Sequence, residues 1–240
     1  MWQVVKFQPT ALFTLRPANA TTSGGKTLVT PTPYALKMAL LDATIRVHGR
    51  AEGEKLFPVI RDLKVAVRLP DHLVVINTFV KILRPHKSGL QDLTGNGLEG
   101  RMGNTIAYRE LVHYSGALWI AMEEGGQCER QPQLSSLFSQ IHYLGKRGGF
   151  MQFTEIQDAE DLPPDFTFLN PNSSETFSIG GLLQLVDDCG PEMTFETADI
   201  YSGKSVSVGK PNGRVLFPVT LPYQLNRSGR SFSSYERITV

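Results

Sequence analysis

"TPYALKMALLDATIRVHG" (32–49) decides the fold. Thr32 can cap a helix with its side-chain oxygen, Pro33 suits the first helical position, and Gly49 stands just past the end. Between them Leu36, Ala39, Leu40, Ala43 and Val47 recur at helical spacing, and Tyr34, Met38, Leu41 and Ile45 make a second apolar stripe. Lys37, Asp42 and Arg46 are left for water. A helix this apolar is covered over much of its circumference, as when it packs across a sheet.

The flanks supply that sheet. "WQVVKFQPTALFTLR" (2–16) reads as a strand: Val5, Phe7 and, past Pro9, Ala11, Phe13 and Leu15 alternate with polar neighbours. "LKVAVRLPDHLVVINTFVKILR" (63–84) holds two strand-like runs around Pro70-Asp71, with Val74, Ile76, Phe79 and Ile82 as the expected inward residues. "PHKSGLQDLTGNGLEGRMGN" (85–104) has five glycines and almost no periodicity, and "TIAYRELVHYSGALWIAM" (105–122) returns to strand, broken near Ser115-Gly116. A polar excursion of that length between strands has a task or is mobile. "QLSSLFSQIHYL" (133–144) is a second helix with Leu134, Leu137, Phe138, Ile141 and Leu144 on one face, and it runs into "GKRGGF" (145–150).

The order strand–helix–strand–excursion–strand–helix–strand is that of a split βαβ unit. The expected class is therefore α+β: a ferredoxin-like (RRM-like) βαββαβ domain over residues 1–150, followed by a β-rich C-terminal part over 151–240.

"TTSGGKTLVT" (21–30) ends like a phosphate-binding loop of nucleotide hydrolases, but Ala20 stands where that loop needs its first glycine. Pro31 and Pro33 forbid the long helix that should open at Lys26-Thr27. The stretch is read as a polar loop carrying one lysine. Other reaction classes lack their signatures: there is no Gly-x-Ser-x-Gly and no His-Glu-x-x-His. Asp187 and Asp188 are adjacent, so a strand would aim them at opposite faces, and they read as solvated turn acids. Trp2 and Trp119 read as core or interface residues. Neither a metal nor a cofactor is expected.

Hydrophobic residues at 41% and charged ones at 20% fit a soluble globular protein, and no apolar run approaches the ~20 residues of a membrane span. The N-terminus lacks the pattern of a secretion signal. Cys128 and Cys189 stand apart without a Cys-x-x-Cys, as reduced thiols of a cytoplasmic protein do. The net charge of +1 is a cancellation: residues 1–150 carry +7, 151–200 carry −11 with no Lys or Arg, and 201–240 carry +5. Either the molecule has distinct basic and acidic faces, or the acidic loops fold back over basic neighbours.

"HYLGKRGGF" (142–150) is the most informative stretch. Three glycines let backbone approach a ligand, Arg147 can fork two N–H bonds onto a phosphate, and Lys146 adds a point charge. The same residues would also serve as ordinary capping of a helix C-terminus by glycine and cations, and both readings can hold together.

A strand, a proline-capped helix, a glycine-rich insertion between later strands and "IHYLGKRGGF" after a second helix resemble the RAMP superfamily of CRISPR-associated proteins. The nearest likeness is to the subunit that holds the 5′ end of the guide RNA in type I surveillance complexes (Cascade). The resemblance implies a non-catalytic RNA-binding subunit capping the 5′ handle of the guide RNA (crRNA). It further implies contacts with neighbouring backbone and large subunits and, indirectly, target DNA, without a membrane. In that family a protruding thumb kinks the RNA. Here it would span residues 84–106, with Arg84, His86, Lys87 and Arg101 as RNA contacts and Met102 as an apolar wedge. The glycine-rich loop would map onto Gly145, Lys146, Arg147, Gly148 and Gly149, with Lys26 near the same RNA. One branch of the family cleaves guide RNA with a tyrosine, lysine and histidine set, which has no position-by-position match here. Metal-independent endoribonuclease activity, with His142 the best-placed histidine, is thus the alternative. A ferredoxin-like protein unrelated to RNA is the third.

Overall fold

The computed structural model describes residues 1–20, 25–85, 102–123, 134–146, 148–170 and 180–238. In chain order the elements are β1 (Trp2–Pro9), α1 (Pro33–His48), α2 (Arg50–Asp62), β2 (Lys64–Arg68), β3 (His72–Pro85), β4 (Met102–Tyr114), β5 (Leu118–Glu123) and α3 (Leu134–Phe138). They continue with β6 (Met151–Ala159), β7 (Thr167–Phe168), β8 (Leu182–Cys189), α4 (Phe195–Ala198), β9 (Arg214–Leu221), β10 (Tyr223–Ser228) and β11 (Phe232–Arg237). The class is mixed α and β with antiparallel sheets. Among the described residues the strands form a five-stranded sheet, β6-β1-β5-β2-β7, a four-stranded sheet, β10-β11-β3-β4, and the β8–β9 pair.

The first sheet has two apolar faces because its strands alternate. Val5, Phe7, Val65, Val67, Ile120 and Met122 belong to the main core, whereas Trp2, Val4, Ala66 and Ala121 belong to a small second cluster with Phe166. Helix α1 forms as its capping residues dictate. Thr32 Oγ1 accepts from the Ala35 N–H at 3.2 Å, and Gly49, at φ +88°, donates its N–H to the Ile45 carbonyl. Leu36, Leu40 and Ala43 are fully buried in the main core. Truncating one such leucine typically costs ~2–5 kcal/mol.

Several expectations are corrected by tertiary structure. The first strand stops at Pro9, which has no N–H to continue a ladder. Phe13 and Leu15 then make isolated bridges to Val112 and Leu28, carrying the chain from the first sheet to the edge of the second. Ala11 is exposed. Along β3 the residues that enter the core are Leu73 and Val75; Val74 and Ile76 are half-buried on the other face, and Phe79 is 73% exposed. A one-residue offset exchanges faces. The second helix ends at Phe138, where bonds from Gln140 and Ile141 to carbonyls three residues back tighten the last turn. Its expected inward residues are nevertheless buried.

The largest correction concerns charge. Lys37, expected in water, is 2% exposed and donates to both carboxylate oxygens of Asp188, at 2.7 and 2.8 Å, and to the Arg61 carbonyl. Asp187 and Asp188, expected as solvated turn acids, are buried on β8. They do face opposite ways: Asp188 meets Lys37, and Asp187 accepts from Arg214 at 2.6 Å. Burial outweighs the pull of Lys37 and pushes the Asp188 carboxyl above its ordinary value.

Beside this pair the buried Cys189 thiol is pushed up to about 12, first by burial and then by Asp188. A thiol so held is not a nucleophile at neutral pH. In native protein treated with iodoacetamide, mass spectrometry should find Cys189 unmodified, with labelling only after urea unfolds the chain.

Candidate nucleic-acid interface

The glycine loop is a tight reversal. Tyr143 bridges Phe150, Leu144 donates to the Gly149 carbonyl at 3.1 Å, and Gly149 donates to Lys146 at 3.0 Å. Gly145 and Gly148 take φ of +72° and +108°, a region costly for side-chain-bearing residues. The turn therefore projects Lys146 outward while Gly145 rests on Leu15.

Between this loop, residues 14–16 and α1 lies a cleft of about 310 Å³ whose lining includes Arg16, Tyr34, Arg46, His142, Lys146 and Arg214. Three of its cations are committed internally, Arg16 among them through the Ala20 carbonyl at 3.0 Å. Arg46 bonds Asp42 and the Gln140 carbonyl, while Arg214 bonds Asp187 and stacks 4.2 Å over the Tyr34 ring. Lys146 differs. Burial first, then the guanidinium groups of Arg109 and Arg16, push its ammonium below the usual lysine value. Like charges gathered at a cleft repel one another until an anion joins them.

Lys26 sits on the second sheet. Its loop is pinned to β4: the Glu110 N–H donates to the Gly25 carbonyl, and a Cβ on Gly25 would stand 2.1 Å from the Tyr108 carbonyl oxygen. The buried Glu110 carboxylate accepts from the Thr27 N–H at 2.9 Å and pairs with Lys26 at 2.8 Å, which raises Lys26. Thr27 Oγ1 accepts from Leu15 and donates to the Leu28 carbonyl, so its hydroxyl is spent on loop structure. That agrees with a polar loop whose threonine is structural.

Against this geometry, a CRISPR-associated protein Cas5 from Archaeoglobus fulgidus (strain ATCC 49558 / DSM 4304 / JCM 9628 / NBRC 100126 / VC-16) is 24% identical over 183 residues, 73% of this chain and 74% of the relative. The chain is Cas5-like. Its structure is also similar to that of a CRISPR protein from Archaeoglobus fulgidus (TM-score 0.47, 12% identity, covering 99% of this chain and 92% of the other). A chain of a CRISPR RNA-guided surveillance complex matches with a TM-score of 0.48 and 12% identity, covering 92% and 91%. No family model matches the sequence.

In the Cas5-like chain the expected contact residues divide by location. Gly145, Lys146, Gly148 and Gly149 share the loop at the cleft, whereas Lys26 stands at the Glu110 edge of β4. Arg84 and Met102 lie on the backbone of the long hairpin, opposite Gly103 and Pro85 respectively. His86, Lys87, Arg101 and Arg147 lie outside the described residues, as does most of the expected thumb. Sequence reasoning missed Arg16 and Arg109. The available signal was slight: Arg16 precedes Pro17 where a chain must turn, and Arg109 is a half-buried strand residue beside Glu110. Among the described residues no group of three or more His, Cys, Asp or Glu could hold a metal ion.

Proposed function

We propose that this Cas5-like chain is a non-catalytic RNA-binding subunit of a CRISPR surveillance complex, capping the 5′ handle of its guide RNA. Its partners are the RNA itself, neighbouring backbone and large subunits, and target DNA indirectly. The reading is carried by Lys146, exposed on a glycine turn at a cleft that Arg16 also lines. The first-sheet order β6-β1-β5-β2, with α1 and α2 between β1 and β2 and α3 between β5 and β6, supports a ferredoxin-like βαββαβ unit. The β3–β4 hairpin supports a thumb at 84–106, in line with the RNA-contact roles of Arg84, His86, Lys87, Arg101 and Met102. Among the described residues no helix is long and apolar enough to cross a membrane.

Labelled CRISPR-repeat RNA titrated with the full chain tests the proposal. Saturable binding that weakens steeply with salt, without new RNA bands, is the expected result. One observation favours a second reading: His142, Tyr34 and Lys146 line the same cleft. Metal-free cleavage needs a general base and a general acid within reach of one phosphodiester. Cleavage in EDTA abolished by His142→Ala would establish the endoribonuclease instead, and no binding at low salt would leave a protein unrelated to RNA.

A further inference from the structure

The β3–β4 hairpin outruns the core that holds its base. Leu73 faces Tyr114 and Val75 faces Val112, and this side of the hairpin is buried there. Farther along, the same side leaves the core. Phe79 stands opposite Tyr108 and Lys81 opposite Ile106, with Phe79 and Ile106 each 73% exposed and Leu83 61% exposed. The Phe79 and Tyr108 rings meet edge to face, 5.5 Å apart at 67°, which stiffens one aromatic surface against the strand.

The described strands of the hairpin carry one sign of charge ahead of Glu110: from His72 to Pro85 the sequence has Lys81 and Arg84 and no acid, and from Met102 to Arg109 it has Arg109 and no acid. Glu110, the first acid along β4, is buried and paired with Lys26, whose side chain is 77% exposed. An occupant complementary to this strip has flat apolar faces and a chain of negative charges. Single-stranded RNA has both, because every base offers a π-face and every linkage a phosphate.

We infer that the Phe79–Tyr108 pair, extended by Ile106, is a stacking platform for bases of single-stranded RNA, with Lys81 and Lys26 meeting the adjoining phosphates. The inference rests on the RNA-binding role proposed above and adds to it the surface on which bases are held. Strand backbone on a two-stranded arm positions the rings at fixed spacing, so the platform is pre-organised.

The test is fluorescence anisotropy of labelled repeat RNA with the full chain over a salt series. Phe79→Ala should weaken binding about tenfold without changing the salt slope, because stacking is removed and charge is not. Phe79→Trp should restore affinity and Phe79→Leu should not. Lys81→Ala should instead flatten the salt slope by about 0.7, one phosphate's worth on a single strand. If Phe79→Ala and Phe79→Leu bind like the unmodified chain while the Lys146→Ala, Arg147→Ala variant is weakened, the platform is wrong and the RNA-binding role stands. If the unmodified chain binds no RNA at low salt, both fall. If sedimentation shows self-association lost in Phe79→Ala with RNA affinity intact, the strip belongs to a protein contact and the inference is overturned.

Discussion

Lys37→Met should destabilise the protein by about 3–5 kcal/mol, the usual result of removing one partner from a buried ion pair. Methionine fills the space of the lysine stem but leaves the Asp188 carboxylate buried among apolar groups without its counter-charge. Its remaining described partner is the Cys189 N–H, at 2.7 Å. Total stabilities are about 5–15 kcal/mol, so the variant loses a large fraction and melts roughly 10 °C lower. Adding Asp188→Leu should return most of the loss, since replacing a whole buried pair with apolar groups is often neutral. Urea midpoints of the single and double variants give the coupling directly. The pH dependence has a definite sign. In Lys37→Met the folded-state carboxyl rises further above its unfolded value, so the folded state takes up a proton first on acidification. The deficit of the variant should therefore narrow from neutral to mildly acidic pH. A deficit that widens there would contradict the geometry of the pair.

Lys146→Ala combined with Arg147→Ala should cut RNA affinity near thirtyfold at low salt, about 2 kcal/mol for two phosphate contacts. The salt slope should fall by about 1.4. Thermal stability should hold, because Lys146 is depressed by burial and by Arg109 and Arg16, and deleting it relieves repulsion. The depressed ammonium also predicts that affinity declines with rising pH earlier than an ordinary lysine would cause. If the double variant unfolds, the loop cations are structural and the interface lies elsewhere.

The sequence reveals features whose causes are local. Thr32, Pro33 and Gly49 are within a turn of the helix ends they define, and Pro70-Asp71 separates β2 from β3 without help from distant residues. Two helical features were harder to read. Pro58 lies inside α2 and Gly53 in its first turns, both signs against a helix, yet Pro58 faces solvent and the apolar residues Leu56, Phe57 and Ile60 are buried. Lys37 and Asp188 are 151 positions apart, so no window of sequence could pair them. The candidate site divides in the same way. The glycines and Lys146 are legible because a tight turn announces itself in composition. Arg16 and Arg109 are brought near Lys146 only by the crossing of the 13–16 segment onto β4, which is a long-range event.

Strand β11 pairs with β3 through partners such as Phe232 and Ile76. On a ribosome adding about 5–20 residues per second, β3 emerges roughly 10–30 s before the strand that closes its outer edge. Throughout that interval the open edge of β3, with Val74, Val75 and Ile76, is free to join strands of other nascent chains. Cooler growth, or co-production with a holding chaperone, should therefore raise the soluble fraction made in a heterologous host.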